Sequence, residues 1–118
     1  MTDTELLNHF FWAWGMGDDD DRRAVLAESF AASGSYADPH CEAPVEGLEA
    51  VARMLADFSR TMPGGSARVA GEAEGHNGVM RAEVVFERDG AEVMRGQYFA
   101  CREGDRLTLV AGFVGARG

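Results

Sequence analysis

The sequence predicts an α+β fold: three helices packed on a strongly curved antiparallel sheet, which forms a cone-shaped half-barrel with a central pocket. Three observations carry that prediction. Apolar residues recur at three- and four-residue spacing in the first half of the chain and alternate in the second, with the change falling at Pro63-Gly64-Gly65. The tight-turn pairs Asn77-Gly78 and Asp89-Gly90, followed by Glu103-Gly104-Asp105, cut the second half into strand-length segments. At 118 residues, 46% hydrophobic and 26% charged, the chain has the size and composition of one globular domain spanning 1–118.

The first helix is expected over residues 3–14, capped by Asp3 or Thr4, with Leu6, Leu7, Phe10, Phe11 and Trp14 on one face. Gly15 and Gly17 end it. Asp18 to Asp21 suit the start of a second helix, where the positive end of the macrodipole favours carboxylates. Consecutive residues there point in different directions, so the run reads as capping and solvation rather than as a metal cluster. This helix is expected to reach about Ala32, with Val25, Leu26, Ser29 and Phe30 inward. A short extended segment, 34–38, stops at Pro39, and a loop runs from His40 to Glu46. The third helix follows Gly47, with a stripe of Val51, Met54, Leu55, Phe58 and Met62. Strands are then expected over 66–75, 79–88, 92–102 and 106–115 as a four-strand antiparallel meander. Met80, Ala82, Val84 and Phe86 alternate with Arg81, Glu83, Val85 and Glu87 along the second of these. Gly96 and Gly112 fall where a side chain would obstruct curvature or a ligand.

Charge narrows the function classes. Twenty acidic residues oppose 11 basic ones, all arginine, for a net charge of −9, and no basic cluster offsets that field locally. A phosphate backbone would be repelled, which argues against nucleic acid as a partner. No apolar run approaches the roughly 20 residues of a membrane span. Residues 1–8 show no basic segment followed by an apolar one, so a cytoplasmic address is expected. Cys41 and Cys101 have no CxxC spacing and read as two reduced thiols.

Trp14 with Gly17-Asp18, Phe30, Tyr36-Ala37-Asp38-Pro39, Gly47, Pro63-Gly64, His76-Asn77-Gly78, Gly96 and Gly112-Phe113-Val114-Gly115 occur in an order that resembles the nuclear transport factor 2-like superfamily. Within it the pattern is similar to the SnoaL-like polyketide cyclases and the ketosteroid isomerases, and the resemblance spans nearly the whole chain. It implies a cystatin-like cone and, for the isomerases, a general base at an aspartate before proline, which is Asp38 here. The isomerases' enolate donors are a tyrosine on the first helix and a protonated aspartic acid on a late strand. Phe10 and Gln97 stand at those positions, so that donor set is not retained. The fold also serves proteins with no catalysis.

Read from the residues themselves, Asp38 is the leading candidate. A carboxylate at the mouth of an apolar cup loses solvation, which makes its anion a stronger base. The alternative is an Asp-Pro turn whose carboxylate binds local amides. Tyr36 lies two residues before Asp38 in an extended segment, so the two point the same way, and its hydroxyl could replace the donor missing from the first helix. His40 is a second acid/base candidate or an exposed loop histidine. Gln97 could donate to a ligand carbonyl or enolate, or else bridge strands or face a dimer partner across the open sheet face. Phe10, Trp14, Met54, Phe58, Arg81, Phe99 and Phe113 are expected to line the pocket, with Trp12 beside them; such residues at regular spacing also serve as plain core. His9 is expected at a helix surface and His76 at a hairpin tip. No HxH, HxxxH or HExxH spacing supports a metal, and no cofactor is implied. Three functions remain: a cofactor-independent isomerase, cyclase or dehydratase using Asp38 on a small apolar carbonyl compound; a non-catalytic module for a small hydrophobic ligand; or an association domain. A homodimer through the open sheet face, where Val79 and Val85 point, is expected under all three.

Overall fold

The computed structural model describes residues 1–114. The elements are α1 (Asp3–Trp12), a single 3₁₀ turn (Ala13–Gly15), α2 (Asp19–Ser29), β1 (Phe30–Ala37), β2 (Val45–Glu46), α3 (Leu48–Thr61), β3 (Gly65–His76), β4 (Val79–Arg88), β5 (Ala91–Glu103) and β6 (Arg106–Gly112). All six strands join one sheet in the order β2-β1-β6-β5-β4-β3, and the three helices cover its concave face. The expected strand end at Gly115 lies outside the described residues.

Caps and turns follow local chemistry. Thr2, rather than Asp3 or Thr4, caps α1: its hydroxyl accepts from the Glu5 amide while the Glu5 carboxylate accepts from the Thr2 amide. Asp18 caps α2 by accepting from the Asp21 amide. Asn77-Gly78 and Asp89-Gly90 both take positive φ at each residue, the condition for a two-residue hairpin.

Three features differ from the sequence reading. The second helix stops at Ser29, and Phe30 already pairs with Leu107 of β6. The helix-forming alanines 31 and 32 are recruited into strand because pairing beats a propensity worth tenths of a kcal/mol. The loop holds a two-residue strand, β2, paired with Ser35 and Tyr36. Finally, β6 returns beside β1 and runs parallel to it, so the sheet is only mostly antiparallel.

Four irregularities bend the sheet into a cone, one each in the β1–β6, β3–β4, β4–β5 and β5–β6 pairings. The concave face carries one continuous core from Leu6, Leu7, Phe10 and Phe11 of α1 to Leu26, Val51 and Leu55 and on to Val84, Tyr98 and Val110. The free edge of β3 is covered by α1: Asn8 Oδ1 accepts from the Val69 amide at 2.8 Å and Thr4 Oγ1 from the Ala73 amide at 2.9 Å. Those bonds satisfy strand donors that would otherwise face solvent at an open edge. No helix among the described residues is long and apolar enough to cross a membrane.

Candidate functional site

Asp38 follows the last residue of β1, where Pro39 ends the strand. The chain turns there: the Cys41 amide donates to the Asp38 carbonyl at 3.0 Å, and the His40 amide to Asp38 Oδ1 at 2.8 Å. One carboxylate oxygen thus belongs to an Asx-type turn, and the Cys41 thiol also donates to it at 3.5 Å. The other oxygen faces inward, where the Tyr36 hydroxyl donates to Oδ2 at 2.6 Å. The side chain of Asp38 is only 10% exposed.

Behind Tyr36 stands Tyr98 of β5, its hydroxyl 2.6 Å from that of Tyr36 and its side chain fully buried. A phenol has one proton. With that of Tyr36 given to Asp38, Tyr98 is the donor to Tyr36, which sets a chain Tyr98→Tyr36→Asp38. Burial holds both phenols protonated: it raises Tyr36 well above the ordinary value, with the neighbouring Tyr98 and Asp38 adding to it, and it raises Tyr98 against the opposing pull of the Tyr36 hydrogen bond. The Cys41 thiol is raised by burial and by the Asp38 charge.

Glycine makes room for this arrangement. Tyr98 pairs across β5–β6 with Gly112, and a Cβ at Gly112 would lie 2.3 Å from the Tyr98 ring. At Gly96 the obstruction would be the backbone of Val114, which crosses above it.

Asp38 and Tyr98 border a cavity of about 400 Å³ between α3, the end of β1 and the inner faces of β4 and β5. Its walls are Trp14, Met54, Phe58, Phe86 and Met94, while His40, Cys41, Asp57, Thr61 and Met62 form the remaining rim with Val114. Trp14, Phe58 and Phe86 meet one another edge to face at centroid distances of 5.1 to 6.3 Å. The indole N–H of Trp14 is buried without a hydrogen-bond partner among the described residues, ringed by Phe10, Phe11, Tyr36, Phe58 and Phe86. Asp57 is ion-paired with Arg60; among the described residues Asp38 has no arginine partner, and the exposed His40 ring lies 3.8 Å from it. Among the described residues no group of three or more His, Cys, Asp or Glu side chains is gathered as for a metal.

The structure brings together Asp38, Tyr36, His40, Trp14, Met54 and Phe58. Phe10 is fully buried behind Tyr36, 6.1 Å between rings, and belongs to the core rather than the cavity wall. The other expected positions need correction. Gln97, Phe99 and Arg81 lie on the convex face: Gln97 is exposed, Phe99 is 45% exposed, and Arg81 pairs with Glu74. Phe113 is 57% exposed and packs on Phe99 at 5.8 Å. Trp12 is exposed beside His9, which is bonded to Glu28. The cause in β5 is one residue. In an unbroken hairpin closed by Asp89-Gly90, the inward Ala82 would face Gln97. A bulge opposite Phe86 and Glu87 adds Val93 to β5, so Ala82 faces Tyr98. Arg81 is outward by its alternation with Met80. Tyr98, Phe86, Met94 and Cys41 were missed as site residues. For Phe86 the signal was present in the β4 alternation, whereas Tyr98 and Met94 depended on the bulge.

No protein-family profile matches the chain, and no curated protein does. Solved structures do. A candidate isomerase of the SnoaL-like family from Agrobacterium tumefaciens superposes with a TM-score of 0.85 at 26% identity, over 97% of this chain and 98% of that one. A protein with a ketosteroid isomerase-like fold from Catenulispora acidiphila, in complex with trimethylamine, gives 0.76 at 18% identity over 95% and 86%. A candidate SnoaL-like polyketide cyclase from Jannaschia gives 0.74 at 15% over 95% and 84%. With its three helices on a bent, unclosed sheet, the chain has the nuclear transport factor 2-like fold and is similar in structure to SnoaL-like and ketosteroid isomerase-like proteins.

Proposed function

We propose that the chain, as one domain, is a small-molecule pocket protein that moves a proton next to a carbonyl group, with Asp38 as the general base and no cofactor. The observation that carries this reading is the hydrogen-bonded chain Tyr98–Tyr36–Asp38 at the edge of an apolar cavity. At rest the two phenols donate toward the carboxylate. When Asp38 takes a proton from the substrate carbon, negative charge moves to the substrate oxygen. The protonated carboxyl then donates to Tyr36, Tyr36 to Tyr98, and the Tyr98 proton turns toward the cavity to meet the enolate. The donors follow the charge without any group leaving its place, the condition for electrostatic stabilisation with little reorganisation. Return of the proton to a different carbon would complete an isomerisation. Tyr98 takes the role that the sequence suggested for Gln97. His40 shares the rim and holds Asp38 through its backbone amide.

The test is deuterium uptake from D₂O at the α carbon of a panel of small enolisable ketones, followed by proton NMR. Asp38→Asn is expected to slow exchange by about 10²- to 10⁴-fold, and Tyr98→Phe by about 10²- to 10³-fold. Exchange that the wild-type protein does not accelerate for any ketone, or that survives Asp38→Asn, would sink the proposal. A second reading, a non-catalytic binder of a small hydrophobic ligand, draws on the turn bonds to Oδ1 from His40 and Cys41; it predicts ketone binding without exchange.

The same proposal includes a homodimer through the convex sheet face, where Val79, Phe99, Leu109 and Phe113 are exposed together. Sedimentation should show a dimer that Phe99→Glu with Leu109→Glu converts to monomer; a monomeric wild type excludes it. A cytoplasmic address goes with it, since Cys41 and Cys101 are both unpaired thiols.

A further inference from the structure

The charges around the cavity are one-sided. Among the described residues that line it the acidic side chains are Asp38 and Asp57, the one basic side chain is the exposed His40 ring, and none is an arginine. Asp57 has Arg60 as its ion-pair partner at the rim. Asp38 is different: three neutral donors, the Tyr36 hydroxyl, the His40 amide and the Cys41 thiol, surround it, and the His40 ring stands 3.8 Å off on the solvent side; hydrogen bonds share a charge rather than cancel it. A little-exposed carboxylate against an apolar wall attracts a cation more strongly than the same group in water. The wall opposite suits a cation of a particular kind. Trp14, Phe58, Phe86 and Tyr98 are four π systems whose faces carry partial negative charge, and Met54 and Met94 add polarizable sulfur. A compact ion such as sodium gives up too much hydration to enter such a site. An alkylated ammonium is weakly hydrated, matches the apolar surface and keeps its full charge. The net charge of −9 favours its approach and disfavours anionic ligands.

We infer that this cavity selects small organic cations, with an alkylammonium or trimethylammonium group seated between Asp38 and the rings of Trp14, Phe58, Phe86 and Tyr98. The inference rests on the same cavity as the proposed function but not on its chemistry: a substrate would carry the ammonium group beside its enolisable carbonyl, and a plain ligand would carry the ammonium alone.

The experiment uses a matched pair, choline and 3,3-dimethylbutan-1-ol, which share shape and hydroxyl and differ in the charge at one atom. Titrations of the full chain are followed by NMR at the Trp14 indole and the Met54 and Met94 methyls. Choline is expected to bind about tenfold or more tightly than the alcohol. Asp38→Asn should remove that preference, with unchanged methyl shifts of core Leu6, Leu7 and Val51 showing that the variant is folded. A second variant, Phe58→Leu, should narrow the preference with the carboxylate intact. Equal affinities, a preference for the alcohol, or no shift at these residues from either compound would each overturn the inference. Failure of ketone exchange with the choline preference intact removes the proton-transfer reading alone. The converse result removes this one alone.

Discussion

Tyr98 and Phe99 are neighbours on β5 and lead opposite lives. Tyr98 points into the cone, fully buried, bonded to Tyr36 and wedged over Gly112. Phe99 points out, 45% exposed, with only Phe113 for an aromatic partner. The two faces of the sheet repeat that contrast. On the concave face, large side chains interlock and the two tyrosine hydroxyls are tied to Asp38 in one chain. On the convex face, apolar residues sit among ion pairs such as Arg95 with Glu83 and Glu92, and even buried Val85 lies there, flanked across the strands by Arg68 and Arg95. The concave face carries both the packed core and the Tyr98–Tyr36–Asp38 chain. The convex face is spare surface, free to meet a second copy.

The contrast breaks most visibly on truncation. Phe10→Ala removes a fully buried ring that touches Phe11, Trp14, Phe30 and Tyr36. It should cost about 3–5 kcal/mol in urea unfolding, with Phe113→Ala on the convex side as the comparison. A loss below about 1 kcal/mol would mean that the core relaxes around the gap.

The two tyrosines give the next effect. They are the chain's only tyrosines, and both are raised in the folded state. An unfolded phenol titrates near 10. Below that value folded and unfolded chains hold the same phenolic protons and stability is unaffected. Above it the unfolded chain releases protons that the folded chain keeps, so stability falls as pH rises, by about 1.4 kcal/mol per pH unit for each suppressed phenol. Cys41, also raised, adds a smaller contribution in the same direction from its lower starting point. Absorbance at the tyrosinate band should stay flat above the ordinary phenol range and jump only at unfolding. A smooth native-state titration would show that the hydroxyls are not shielded.

How far the sequence could be read follows the same division between faces. The three helices, the three hairpin turns and the inward set of β4 depend on periodicity and turn chemistry, which are local, and they were legible. Asp38 and Tyr36 were placed on one side by parity within a single extended segment, and the structure joins them. Tyr98 was not legible because its facing depends on Val93, one extra residue in a bulge that no composition rule announces. From that bulge onward every side chain of β5 was read inside out, which put Gln97 and Phe99 in the cavity. The strand character of residues 30–33 was hidden for another reason: it comes from pairing with β6, the far end of the chain.

Gly112→Ala sharpens the comparison with a single methyl. The new Cβ would stand 2.3 Å from the Tyr98 ring, so the ring must tilt and its hydroxyl must leave Tyr36. Overpacking of this kind costs about 1–3 kcal/mol, and the lost bond should appear as a lower onset of tyrosine titration. An unchanged onset would show that the ring yields without breaking the chain.

The smallest effect is expected from Phe99→Ser. Tyr98 and its hydrogen bonds lie on the other side of the strand, and the neighbours of Phe99 across the sheet, Arg81 and Ala111, place no buried surface over it. In the monomer the change should stay within about 0.5 kcal/mol, as for ordinary surface positions, with tyrosine titration and ketone exchange as in the wild type. If the convex face is a dimer interface, the same substitution acts differently: it lowers the unfolding midpoint only where the protein concentration is high enough for the dimer to exist, because association stabilises by mass action. A concentration series of unfolding midpoints for wild type and Phe99→Ser therefore separates the two roles of that face. Curves that coincide at every concentration leave Phe99 a solitary exposed ring, and curves that diverge as concentration rises make it part of an interface.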